Sequence, residues 1–204
     1  TQSWSFGLES VFNHFVDHCQ QHHLPFVRQR SVVSPDSSTL FCTSGMQKHK
    51  PSFGQQPPLR TTLCDSQTCL RTTDLHEFGD RTHRIVFEML GLFSFEDWTL
   101  QQTFRFWLSF IRRLNLEPDT ITVHPDKMEE WTPIWRDAGY LGNIISDEQC
   151  LWSDGSIGGY CTEMYIDDIE IGNIVNPLGH SIDCGFGLER LVQVMGYNPP
   201  TPSE

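Results

Sequence analysis

The sequence predicts a folded protein in which helices are combined with antiparallel strands, and three observations carry that expectation. Apolar residues recur at helical spacing in four stretches, 6–22, 98–114, 127–138 and 188–195. Apolar and β-branched residues alternate over 59–71 and resume, after a polar interval, at 85–90, which is the pattern of two antiparallel strands. With 38% hydrophobic, 12% aromatic and only 20% charged residues, the 204-residue chain can bury one substantial core and is not a disordered segment.

Taken in order, Leu8, Val11, Phe12, Phe15 and Cys19 fall at three- and four-residue steps, and Pro25 ends that helix. Phe26, Val27, Val32 and Val33, a Ser-Pro-Asp-Ser-Ser turn at 34–38 and the pair Leu40-Phe41 predict strand, loop, strand. Lys48-His49-Lys50, ahead of a Pro- and Gln-rich loop at 51–58, is expected to be a solvated basic face. The strand over 59–71 ends at Arg71, and a polar loop with Asp74, His76, Glu77, Gly79, Asp80 and Arg81 follows. That loop is longer than a hairpin needs, which marks it as functional.

In 98–114 the stripe Phe104, Trp107, Leu108 and Ile111 is core, and Arg112-Arg113 sit near the helix end, where the dipole favours cations. A short strand at 121–123 precedes the third helical stretch, which Pro133 is expected to divide. Gly155, Gly158 and Gly159 lie within 151–168, between an aromatic and an acid-rich strand, and 169–175 alternates as a further strand. At 181–191, Gly185 and Gly187 let the backbone turn sharply or approach a ligand before a helix whose Arg190 is placed for phosphate. A purely structural turn uses the same spacing.

Twenty-six acidic against 14 basic residues give a net charge of −12, a field that repels polyanions and argues against autonomous tRNA binding. The seven cysteines form no CxxC pair, so reduced and mostly buried thiols are expected rather than a disulfide framework or zinc finger. No apolar run of membrane-spanning length and no basic-then-apolar leader occurs, and the expected location is cytoplasmic. One domain over 1–198, followed by a frayed Pro-rich tail at 199–204, is the expected organisation.

Six segments, in this order, give a more specific reading: LFCTSGMQKHKPSF, DSQTCLR, FEMLGLFSFEDW, CTEMYID, EIGNIVN and IDCGFGLERL. Together they resemble the catalytic domain of class II aminoacyl-tRNA synthetases, of the alanyl type, over nearly the whole chain. The resemblance implies the α+β class, with an antiparallel sheet flanked by helices and ATP lying on the sheet. It implies that Arg71 holds the α-phosphate, that Phe87, with Glu88 beside it, stacks on adenine, and that Arg190, after Gly187, covers the nucleotide and reaches the γ-phosphate. It further implies that Trp152 and Asp183 hold the amino acid, Asp183 through the α-ammonium, with Met89, Asn173 and Gly185 lining the pocket. Two guanidinium groups would neutralise charge as pyrophosphate leaves, so Arg71 and Arg190 are the catalytic candidates. Read structurally instead, Trp152 is plain core and Asp183 a turn former.

The departures from the family pattern are equally specific. RTTDLHEFG follows Arg71 where the family carries a Gly-Gly-Lys-His-Asn-Asp run, so a phosphate contact falls to Arg81, His83 or Arg84. SDGSIGGYC replaces the family's Gly-Asp-Thr-Gly-Pro-Cys-Gly-Pro-Cys, Cys184 stands where the family has Thr, and a long insertion shrinks to 176–180. Cys150, Cys161, Glu163, His180 and Cys184 all fall in the pocket-forming third, but the Cys-Thr-Glu triplet is ordinary in the alanyl family, and no metal is expected.

The tRNA-recognition, editing and oligomerisation domains of a full alanyl enzyme are not in this sequence. The implied protein is therefore a free-standing, truncated paralogue that uses ATP and Mg²⁺ to turn a small amino acid into an aminoacyl-adenylate. The expected acceptor is not tRNA but a carrier protein's phosphopantetheine thiol or an amine; an acidic carrier would need Lys48-His49-Lys50 or Arg112-Arg113. Two alternatives stay open: tRNA charging with a partner supplying recognition, and a non-catalytic regulatory subunit that binds amino acid or nucleotide.

Overall fold

The computed structural model describes residues 3–29, 47–75 and 81–200, with the backbone alone at 47–48, 50, 71–75 and 81–85. In chain order the helices and strands are α1 (Trp4–Gln21), β1 (Phe26–Gln29), β2 (Thr61–Leu75), β3 (Arg81–Phe95), α2 (Leu100–Arg113), β4 (Thr120–Val123), α3 (Met128–Asp137), β5 (Asn143–Ser146), β6 (Leu151–Ser153), β7 (Gly158–Ile166), β8 (Ile169–Pro177), β9 (Ile182–Gly187) and α4 (Leu188–Val194). The described strands form one mixed sheet in the order β1-β2-β3-β9-β8-β7-β4-β5, and β6 pairs with β7 beside β4. Only β1 on β2 and β4 on β5 are parallel. With the helices this is the α+β architecture the sequence implied.

Local chemistry explains the helix starts. Ser3 accepts the Phe6 N–H at 3.1 Å, and Thr99 with Gln102 builds a reciprocal capping box at α2. Arg112 and Arg113 close α2, Arg112 as a fork on Glu117 with two bonds of 2.9 Å, Arg113 onto His14 and Gln21. Both guanidinium groups are thus already engaged within the chain.

Three expectations are corrected. Pro133 does not divide α3, which runs through it; Trp131 and Trp135, each 1% exposed, anchor the helix on both sides of the proline, and that burial outweighs one missing backbone bond. The long polar loop shrinks, because pairing continues out to Leu75 opposite Arg81 and only 76–80 connect the strands. Residues 182–187 are not a turn but the strand β9, since β3 on one side and β8 on the other supply its ladder. The expected strands around Val32-Val33 and Leu40-Phe41, and Cys42, lie outside the described residues. The other six cysteines are buried and not in disulfides.

Register assigns the two faces of the sheet, because residues directly opposite on antiparallel strands point the same way. Leu90 opposite Phe186, and Leu92 opposite Cys184, which is in turn opposite Ile174, face the helices. They join buried side chains of α1, α2, α3 and α4 in one cluster. Phe186 stacks on Trp107 of α2 with centroids 4.0 Å apart, and Gly172 is glycine because any Cβ there would collide with the Phe186 ring. The alternate residues therefore project to the side away from these helices. Among the described residues no helix is long and apolar enough to cross a membrane.

Candidate functional site on the helix-free face

The helix-free face carries a transverse row of paired positions, Asp65, Gly91, Gly185, Asn173, Glu163 and Thr122, one from each of β2, β3, β9, β8, β7 and β4. Two glycines occupy the middle of that row, Gly91 buried beneath Asp65 and the Phe93 ring, Gly185 half-buried beneath Met89. A Cβ at Gly185 would lie 3.0 Å from Met89 Sδ, and one at Gly91 would lie 2.6 Å from Asp65 Oδ1. Met89 pairs with Gly187, and the aliphatic stem of Arg190 passes over Gly187 at 3.5 Å from a Cβ position there. The exposed Arg190 guanidinium donates to the Glu170 carbonyl at 2.7 Å. Phe87, opposite Cys69, is half-buried one step further along β3.

At the other end of the face, Asp183 is 8% exposed and lies between Phe93 and Val175 in register. Trp152 bridges two apolar groups there, Phe53 with Phe93 and Phe95, and Cys150 with Cys161 and Val175. Beside it opens a cleft of about 630 Å³ whose lining includes Trp98, Trp152, Tyr160, Asn176 and His180. Asn173 separates Gly185 from Glu163. The sheet thus brings Phe87, Met89, Asn173, Asp183, Gly185, Gly187, Trp152 and the Arg190 stem onto one side. Arg71 and Arg84 are located by backbone only, opposite Ile85 and Thr72.

Two predicted residues fall on the other side. Glu88 turns toward the helices, where Ser66 and Thr68 each donate to its carboxylate at 2.8 Å. Its backbone N–H is taken by Glu189, whose carboxyl burial pushes above the usual carboxylate range. Cys184 is 1% exposed in the helix-side cluster, and burial raises its thiol well above the ordinary value. The thiol that replaces the family's Thr therefore lines the core and not the ligand face.

His49 corrects the expected solvated basic face. Its ring lies 4.3 Å from that of Phe93, and Nε2 is 3.3 Å from Asp65 Oδ2, so the 3-10 turn Gln47–Ser52 docks on the helix-free face through this histidine. The five metal-ligand candidates divide in the same way. His180 bonds Ser181 Oγ at 2.9 Å and lies 3.9 Å from Glu96, and Cys184 is beneath the sheet. Cys150 and Glu163 do converge, joined by Asp147, which the sequence reading passed over, and Cys161 packs against Cys150 and Val175. The hydrogen bond with Cys150, followed by burial, holds the Cys161 thiol far above its usual range. An Asp-x-x-Cys turn facing a Cys-x-Glu strand was the signal available for Asp147.

Among the described residues this is an α+β domain that keeps one sheet face clear of its four α-helices, with only the 3-10 turn Gln47–Ser52 docked on it. The chain belongs to the tRNA synthetases class II (A), whose family model matches residues 10–177. It is similar to the alanine–tRNA ligase of Desulfitobacterium hafniense (strain Y51), 33% identical over 81% of this chain and 24% of that protein. The alanine–tRNA ligase of Microcystis aeruginosa is 29% identical over 89% of this chain and 25% of its own length. The chain spans about a quarter of the length of these curated relatives. Among solved structures, the pyrrolysyl-tRNA synthetase of Desulfitobacterium hafniense aligns over 94% of this chain and 74% of its own, with a TM-score of 0.43 and 14% identity.

Proposed function

We propose that this domain condenses ATP with a small amino acid to an aminoacyl-adenylate on the helix-free face. The observation that carries the reading is the convergence of Phe87, Met89, Gly185, Gly187 and the Arg190 stem at one end of that face with Asp183, Asn173 and Trp152 at the other. Gly185, half-buried under the flexible Met89 side chain, lets a flat or phosphorylated ligand approach the sheet. Phe87 offers a ring for the base, Arg190 and Arg71 offer charge for the phosphates, and Asp183 offers a buried carboxylate for an α-ammonium. Mg²⁺ enters with the nucleotide and neutralises its phosphates.

In this reading the substrate carboxylate attacks the α-phosphorus, the bond to the bridging oxygen breaks, and pyrophosphate leaves. The protein's share is positioning and fixed positive charge. For the second half-reaction we favour a thiol or amine acceptor such as a carrier protein, because a chain of net charge −12 is poorly suited to holding a polyanion. Arg112 and Arg113 are already paired internally, so of the two basic stretches in the sequence the one at 48–50 is preferred for such docking.

Amino-acid-dependent ATP–pyrophosphate exchange across the common amino acids tests the first step. Exchange with at least one amino acid, lost in Arg190→Ala, is expected; ATP binding with exchange for none would replace this reading by that of a regulatory binder. Labelled amino acid offered to tRNA and to holo-carrier protein then identifies the acceptor.

A further inference from the structure

We propose that His49 and Asp65 form a general-base dyad that takes the proton from a thiol acceptor as it attacks the aminoacyl-adenylate. The inference rests on the adenylate reading and adds to it a residue for the second half-reaction.

The pair is built into the helix-free face. His49 comes from the 3-10 turn Gln47–Ser52 and Asp65 from β2. His49 Nε2 lies 3.3 Å from Asp65 Oδ2, and its ring is 4.3 Å from that of Phe93 and 5.9 Å from that of Phe95. Gly91, opposite Asp65, makes room for this arrangement, since a Cβ there would lie 2.6 Å from Asp65 Oδ1 and 2.8 Å from the Phe93 ring. The Asp65 side chain is 1% exposed and that of His49 is 17% exposed. A buried carboxylate behind a partly open imidazole orients the ring and stabilises its protonated form. With Nε2–H donating to Asp65, Nδ1 keeps the lone pair that a base needs.

Register puts the dyad beside the place where acyl transfer would occur. Asp65, Gly91 and Gly185 form one row of the sheet, and on the same face it lies between the pair Met89–Gly187 and the pair Phe93–Asp183. Neighbouring strands are about 4.8 Å apart, so Asp65 stands about 10 Å from Gly185, and a histidine on Asp65 reaches into that gap. An adenylate with its base on Phe87 and its α-ammonium on Asp183 has its mixed anhydride over Gly185. The stretch 48–50, preferred for acceptor docking, carries the base at its centre.

The step balances without a further reactant. The thiol sulfur attacks the acyl carbon while its proton passes to His49 Nδ1. The bond from the acyl carbon to the phosphate oxygen breaks, its electron pair stays on that oxygen, and AMP leaves beside the new thioester. The imidazolium, held by Asp65, then gives its proton to water. Asp65 acts through His49 and is a positioning residue.

The test uses the full chain, ATP, the amino acid that supports pyrophosphate exchange, and two acceptors. Pantetheine supplies a thiol; hydroxylamine is uncharged at neutral pH and attacks an adenylate without a base. The parent is expected to form both thioester and hydroxamate. In His49→Ala, thioester formation should fall about 100-fold or more relative to hydroxamate formation by the same variant, and imidazole in the buffer should restore part of it. Asp65→Asn should lower the same ratio by about 10-fold or more. A parent that gives neither exchange nor hydroxamate would overturn the adenylate reading and this inference with it. Hydroxamate without thioester in the parent, or an unchanged ratio in folded His49→Ala, would overturn the dyad alone and leave His49 as a fastener of its turn.

Discussion

The Glu189 carboxylate accepts the backbone N–H of Glu88 through both oxygens, at 3.1 and 3.2 Å, and so ties the first turn of α4 to β3. The contact falls one residue beyond the end of the ladder, since the β3–β9 pairing ends at Met89 opposite Gly187. Without Glu189 a part-buried donor would lose its partner. Glu189→Ala is expected to cost about 1–3 kcal/mol, whereas Glu189→Gln, which keeps an acceptor, should stay within about 1 kcal/mol of the parent. Burial raises the folded carboxyl above its unfolded value, so its contribution favours the fold at low pH and is lost as pH rises through the folded pKa. Urea unfolding of both variants decides; equal stability of Glu189→Ala and the parent would contradict the role.

Gly172 and Gly185 occupy opposite faces, and alanine should affect them differently. At Gly172 the new methyl meets the Phe186 ring, which stacks on Trp107 with planes at 11° and cannot retreat. At Gly185 the nearest atoms are those of the Met89 thioether, at 3.0 Å, a flexible and only half-buried group. Gly172→Ala is therefore expected to cost about 2–3 kcal/mol and Gly185→Ala about 1 kcal/mol or less. Thermal unfolding measures both, and the reverse order would refute the face assignment.

What the sequence made legible follows from period and what it hid follows from register. The apolar stripes of α1 and α2 need only local spacing, so Phe15 and Trp107 were assigned correctly to a core. Asp183 and Cys184 are adjacent in sequence, yet one lies on the side away from the helices and the other faces them, and only their pairing with Phe93 and Leu92 separates them. Glu88 was grouped with Phe87 for the same reason. The strand β5 has four residues, three of them exposed, and its adjacent isoleucines Ile144 and Ile145 are too few to show alternation. The two glycines of β9 suggested a turn because local propensity favours one; two flanking strands overrode it.

Cys184 provides a direct test of that separation. Truncating a fully buried thiol to alanine should cost about 1–2 kcal/mol through lost packing. Because Cys184 faces the core, Cys184→Ala should retain ATP–pyrophosphate exchange with an unchanged amino-acid KM wherever the protein is folded. Asp183→Asn, next to it, should raise the amino-acid KM by about 10-fold or more through loss of a charge-assisted bond to the α-ammonium. Equal effects of the two substitutions on KM would place both side chains on the same side of the sheet and contradict the register.

Burial of His18 makes the fold lose stability in acid. Its Nε2–H donates to the Phe106 carbonyl at 2.9 Å across the α1–α2 contact, and the ring is 4% exposed between Phe106 and Phe110. Burial, with smaller contributions from the nearby His22 and Arg113, lowers its pKa from 6.5 to about 4, although the Phe106 bond opposes the shift. The unfolded chain therefore takes up a proton near pH 6.5 that the folded protein refuses until about pH 4. Stability from this group is complete above the unfolded value and falls as pH drops through that window, by at most about 3 kcal/mol. Urea midpoints for parent and His18→Gln, measured from pH 7 to pH 4, should show a steeper acid loss in the parent; parallel curves would mean that His18 is protonated in the folded protein, and that the α1–α2 contact tolerates a charge which its aromatic surroundings oppose.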